Sequence, residues 1–243
     1  MKIKDRLIIS LDVDNIRSAE RIVNELEENV TTYKVGLQLY TKEGQKVIRM
    51  LKKYDKNIFL DLKFHDIPNT VISAVKSALD IGVDMLTIHA MGGFDMMEGV
   101  AKILWQRRND GKHAPIVFAV TLLTSLDSAF LMDVIGTTNR SVDDEVIILA
   151  GAAQSAGIEG VVASPQEIKS IRKKYGKALL ILTPGIRPEG NDKNDQQRTA
   201  TPFSAIKDGA DYIVVGRPVL QSNDKIKTVK NIIKEIKDGL KNS

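Results

Sequence analysis

Short runs of β-branched and apolar residues alternate along the chain with longer stretches whose apolar positions recur every three or four residues. The runs cover residues 7–11, 32–35, 58–62, 85–89, 116–120, 160–163, 179–182 and 212–215, and their length and content predict eight strands. Helical spacing is clearest over residues 18–28, 42–54, 69–81, 143–156, 165–175 and 202–208. In the Lys-rich stretch 224–240, Ile226, Val229, Ile233, Ile236 and Leu240 share one helical face and most lysines take the other. That pattern fits an outer amphipathic helix better than a nucleic-acid-binding arm.

Strand and helix in alternation imply parallel strands joined by crossover helices. Eight such units in 243 residues match a single-domain (β/α)8 TIM barrel of the α/β class, spanning residues 1–243. A doubly wound sheet is the alternative. Its dinucleotide-binding form needs a glycine-rich turn after the first strand, whereas this chain has Leu11, Asp12, Val13, Asp14 and Asn15 there.

Composition narrows the setting. At 43% hydrophobic and 27% charged residues the chain is that of an ordinary globular protein, with no Pro/Gly/Ser-rich linker to divide it. The absence of cysteine excludes disulfides, thiolate metal sites and a cysteine nucleophile, and fits a cytoplasmic protein. The first twelve residues end in acid without a small-residue cleavage site, so neither signal peptide nor anchor is expected. No apolar stretch approaches the roughly 20 residues of a membrane span. The net charge of +4 resides mostly in surface lysines, and neither nucleic acid nor membrane is expected as a partner.

A barrel places its chemistry at the C-terminal ends of its strands. Read there, the chain offers Asp12, Lys34, Asp61, Lys63, His89, Thr121, Thr183 and the pair Gly216 and Arg217. Asp61 and Lys63 are two apart on a strand, hence on one face and roughly 6.5 Å apart along it. Lys34 and Asp12 on the two preceding strands would continue a row of alternating charge. The bland reading is a solvated ion pair. Four charges at the mouth of three successive strands favour a site, because burying unpaired charge costs several kcal/mol.

Two further segments suggest a phosphate cradle: Thr183, Pro184, Gly185, Ile186, Arg187 and Pro188 after the seventh strand, and Gly216, Arg217 and Pro218 after the eighth. Glycine lets the main chain approach an anion and Arg217 supplies charge; otherwise these are ordinary Gly/Pro turns. Residues 189–201 are polar without apolar periodicity and read as a lid, with Gln196 placed to reach a phosphate, or else as a plain surface loop. His65 and His89 lack a third ligand at suitable spacing and read as polar neighbours rather than a metal site. His113 reads as a loop residue.

The segment from Asp61 through Lys63, Phe64, His65, Asp66, Ile67 and Pro68 to Asn69 and Thr70 resembles the signature of the orotidine 5'-phosphate decarboxylase family in its bacterial form. Asp12, Lys34 with Gly36, the segment 120–125, Arg187, the segment 196–202 and Arg217 match in family order. The resemblance covers nearly the whole chain. It implies decarboxylation of orotidine 5'-monophosphate to uridine 5'-monophosphate without cofactor or metal, as a homodimer with shared active sites. Lys63 would protonate C6 within a network of Lys34, Asp61, Lys63 and Asp66, the last serving the neighbouring subunit. Asp12 and Lys34 would contact ribose hydroxyls, with Asn69 and Thr70 beside them. Thr124 would lie at the pyrimidine, and Arg187, Gln196, Gly216 and Arg217 would hold the phosphate.

Loss of carbon dioxide from C6 leaves electron density in a ring-plane orbital that the π system cannot delocalise. A nearby ammonium supplies the stabilisation from outside. Asp61 either raises the ground state by repelling the substrate carboxylate or fixes Lys63 in place, and the sequence leaves both open. Magnesium-dependent barrels acting on keto-hexulose phosphates resemble this chain too. They usually carry a carboxylate at the end of the second strand, where this chain has Lys34. A non-catalytic nucleotide-binding barrel is the third reading.

Overall fold

The β-branched runs form strands that are apolar on both faces. A computed structural model describes residues 2–188 and 199–243. Strands β1 (Leu7–Ser10), β2 (Thr32–Gly36), β3 (Asn57–Phe64), β4 (Met85–His89), β5 (Ile116–Val120), β6 (Gly160–Val162), β7 (Leu180–Thr183) and β8 (Tyr212–Val215) pair in chain order. All pairs are parallel and β8 returns to β1, closing the barrel.

Alternate side chains serve two layers, as the two-residue period of a strand requires. Ile8, Phe59, Met85, Phe118, Leu182, Tyr212 and Val214 fill the barrel interior. Phe118 sits at its centre, with edge-on contacts to Phe59 at 6.2 Å and Tyr212 at 5.8 Å between ring centroids. Gly160 makes this possible, since a Cβ there would lie 2.7 Å from the Phe118 ring and 2.9 Å from the Leu180 carbonyl. The other face, including Leu7, Ile9, Ile58, Leu60 and Leu86, packs against the surrounding helices.

The helices depart from the expected pattern, with short unexpected turns at Ser128–Phe130, Leu131–Ile135 and Arg217–Leu220 and two larger differences. The expected helix over 42–54 is divided into Leu37–Glu43 and Gln45–Lys53 by Gly44, whose φ is +55°. A 16-residue helix, Phe94–Asn109, fills the interval between β4 and β5. The C-terminal helix Lys225–Lys241 buries Val229, Ile232 and Ile236, so the buried stripe runs through Ile232 with Ile233 at its edge. No helix among the described residues is long and apolar enough to cross a membrane.

Candidate active site

At the C-terminal ends of the strands lies a cavity of about 250 Å³. Its wall on the β1 to β3 side is charged. Lys34 sends its ammonium 3.3 Å from Asp12 Oδ1 and 3.5 Å from Asp61 Oδ2, while Lys63 Nζ donates to Asp61 Oδ1 at 2.9 Å. The expected row of alternating charge is therefore present, in the order Asp12, Lys34, Asp61, Lys63. Gly36 leaves room for it, because a Cβ there would stand 2.9 Å from Lys34 Nζ.

Lys63 reaches this row by a route that strand periodicity does not describe. Leu60 pairs with Leu86 and Phe64 with Ile88, so three residues of β3, Asp61 to Lys63, face the single residue Thr87 of β4. Within this bulge Lys63 has φ +51°, a left-handed conformation that costs a non-glycine residue about 1–2 kcal/mol. The two side chains meet because the backbone folds over, in place of an even two-residue step along one face.

Electrostatically the centre of the row is Asp61. Burial pushes its carboxyl up, but the Lys34 and Lys63 charges, with hydrogen bonds from Lys63 and Thr87, outweigh that and hold it below the ordinary carboxylate value. Beside the row, His65 and His89 stack with ring centroids 5.1 Å apart. His89 Nδ1 accepts from the Met91 amide at 3.3 Å. Burial, followed by the His65 and Lys63 charges, pushes the His89 imidazole down to about 4. The pair are polar neighbours of the site, and among the described residues no three His, Asp or Glu cluster to hold a metal.

The opposite wall is largely apolar, built from Val120, Leu122, Leu123, Val162 and Leu182, with Thr124 at its edge. The third side carries Pro184, Gly185, Arg187, Gly216 and Arg217. Arg187 is buried and donates to the Ile186 carbonyl at 2.9 Å. Gly216 lies against Asp12: a Cβ on it would be 3.3 Å from Asp12 Oδ2. The loop after β8 thus abuts the charged wall.

The sequence of the chain, compared as a whole, agrees with this geometry. The sequence model of the Orotidine 5'-phosphate decarboxylase / HUMPS family matches residues 5–232. The chain belongs to that family. Among members of the orotidine 5'-phosphate decarboxylase group, the protein so named from Moorella thermoacetica is 41% identical over 237 residues, covering 97% of this chain and 94% of its own. Its namesake from Actinobacillus pleuropneumoniae serotype 5b is 43% identical over 94% of this chain and 97% of its own. A crystal structure of orotidine 5'-phosphate decarboxylase from Lactobacillus acidophilus superposes with a TM-score of 0.83 at 34% identity, covering 96% of this chain and 99% of that one.

Of the residues expected at the site, Asp12, Lys34, Asp61, Lys63, Thr124, Arg187, Gly216 and Arg217 line the cavity together. Asp66, Asn69 and Thr70 are exposed and outside its wall. Asp66 accepts a 2.6 Å hydrogen bond from the Ile67 amide, and Asn69 and Thr70 lie in the first turn of the helix Pro68–Ile81. Gln196 and residues 189–198 of the expected lid over 189–201 lie outside the described residues. Two groups were missed by sequence reading. Ser10 lines the cavity floor, and Thr87 is buried behind the charged row. A lone hydroxyl within the apolar run Met85, Leu86, Thr87, Ile88 was the signal for the latter.

Proposed function

We propose that this chain decarboxylates orotidine 5'-monophosphate to uridine 5'-monophosphate and carbon dioxide in pyrimidine biosynthesis, with Lys63 as the proton donor to C6. The observation that carries the reading is the Lys63 ammonium in the cavity wall, held by Asp61 at 2.9 Å and unable to leave that position without breaking the pair. The C6 to carboxylate bond breaks, its electron pair stays on C6, and that carbon takes a proton from Lys63, which water then restores. A fixed cation here stabilises developing charge without solvent reorganisation.

The rest of the cavity fits the remainder of the nucleotide. Arg187, Gly216 and Arg217 receive the phosphate, with Gln196 as a further ligand. Asp12 and Lys34 take the ribose hydroxyls, and Thr124 and the apolar wall take the pyrimidine. Remote phosphate contacts can drive the ordering that the chemistry needs. The magnesium-dependent alternative within the same family is disfavoured by Lys34, whose ammonium stands between Asp12 and Asp61, where a divalent ion would need the oxygens. The reading requires no cofactor, the whole of residues 1–243 acting as one cytoplasmic barrel domain.

Asp66, Asn69 and Thr70 enter this reading from a second copy of the chain. Their support is exposure, together with exposed Leu37, Ile67, Met91 and Phe94, which follow the adjacent strands β2, β3 and β4 at the same end of the barrel. Large apolar side chains exposed together at one end of a domain are what an interface would cover. Mixing Lys63→Ala and Asp66→Ala subunits tests both roles. Each variant alone is inactive, whereas random exchange restores about one quarter of parental activity, because half the dimers carry one intact site. Mixed dimers without activity would place Asp66 outside its neighbour's site.

A further inference from the structure

We infer that Thr87 is a positioning residue for the reaction proposed above, setting the Asp61 and Lys63 pair through a single hydroxyl. The inference rests on that reading of Lys63 but on a different group, one that does not line the cavity.

Thr87 Oγ1 accepts a hydrogen bond from the Lys63 backbone amide at 2.9 Å and donates to Asp61 Oδ1 at 3.0 Å. The same Asp61 oxygen receives the Lys63 ammonium at 2.9 Å. One hydroxyl therefore ties the main chain of the proton donor to the carboxylate that holds its side chain. Its only proton is committed to Asp61, which leaves a lone pair for the Lys63 amide.

The need for this tie follows from the bulge. Residues 61–63 have lost their ladder partners on β4, since pairing passes from Leu60 with Leu86 directly to Phe64 with Ile88. Lys63 also holds φ +51°, and a non-glycine residue stays there only when its surroundings over-determine it. The Thr87 hydroxyl takes the place of the missing backbone acceptor. Thr87 is 1% exposed, so water does not readily substitute for it. Valine has nearly the same shape but can neither accept from Lys63 nor donate to Asp61, so the amide would seek another partner and the bulge would relax.

Thr87→Val and Thr87→Ser are compared with the parent by steady-state turnover of orotidine 5'-monophosphate across pH. For Thr87→Val we expect kcat to fall about 10- to 100-fold, the scale of one or two lost hydrogen bonds to charged or buried groups, with KM within about threefold. Thr87→Ser should return kcat to within about threefold of the parent. Because Asp61 loses a donor, the acid limb of the Thr87→Val profile should move to higher pH, which a merely loosened barrel would not produce. Thr87→Ala is read in the same way if the valine variant does not fold. A parent that leaves the substrate unchanged overturns the proposed function. A parent that turns over, beside a valine or alanine variant with unchanged kcat and pH profile, overturns the role of Thr87 alone.

Discussion

Removing the Lys63 ammonium should cost far more in rate than in stability. In Lys63→Ala, Asp61 loses a partner at 2.9 Å but keeps Lys34 at 3.5 Å and the Thr87 hydroxyl at 3.0 Å, so it retains one cation and one donor. The stability cost is that of one partly exposed ion pair, about 1–3 kcal/mol, or about 3–10 °C in Tm for a domain of this size. The rate cost is larger. A unit charge about 4 Å from C6 at an effective dielectric near 20 contributes about 4 kcal/mol, or roughly 10³-fold. Loss of the proton donor adds about 10²- to 10⁴-fold. The product is a fall of about 10⁵-fold or more, followed by the ultraviolet absorbance of the orotate ring in the presence of a chelator. A folded Lys63→Ala protein within about tenfold of the parent would remove Lys63 from the centre of the mechanism, and turnover abolished by chelator in the parent would return the metal-dependent alternative.

Two further perturbations test the surroundings. His89, pushed down to about 4 against an ordinary 6.5, takes up a proton more readily in the unfolded chain than in the folded one. Its contribution to stability is therefore complete above pH 6.5 and lost as pH falls toward 4. The full shift corresponds to about 3 kcal/mol, and about 1–2 kcal/mol remains after solvent screening of a partly open ring. Denaturant midpoints at pH 7 and pH 4.5 should differ less in His89→Gln than in the parent; equal differences would contradict the assignment. Arg217→Ala should weaken capture of the nucleotide by about 10- to 100-fold, the value of a charge-assisted contact to phosphate, while leaving the dephosphorylated nucleoside unaffected. Equal losses for both would move Arg217 away from the phosphate.

The barrel was legible because its strands are buried on both faces and so stand out as short apolar runs. The helix Phe94–Asn109 was not, since it buries Met96, Met97, Val100 and Leu104 but exposes Trp105 beside them, which blurs the apolar stripe. The charged row was legible for the opposite reason: packing gives no account of Asp12, Lys34, Asp61 and Lys63 at successive strand ends. Its geometry was not legible. A two-residue period puts Asp61 and Lys63 on one face, but the pairing of β3 with β4 inserts a bulge there, and pairing across strands is absent from a local pattern. Thr87 escaped notice with it, because its role exists only once the bulge is formed.

The charges of the row also connect the chemistry to assembly. Within one chain Asp12 and Asp61 balance Lys34 and Lys63, two negative against two positive, so the row itself carries no net charge. Lys63 Nζ uses one of its three donors on Asp61, and its side chain is 32% exposed and lines the cavity. In the proposed dimer Asp66 of a second copy supplies a further negative charge to the row. That charge would give the Lys63 ammonium a second anion to hold it in place and add repulsion against the substrate carboxylate. A subunit alone would keep the row and the phosphate cradle but hold its proton donor by a single anion. Affinity for the nucleotide should therefore survive Asp66→Ala better than turnover does, and the opposite order would show that Asp66 serves binding rather than the proton donor.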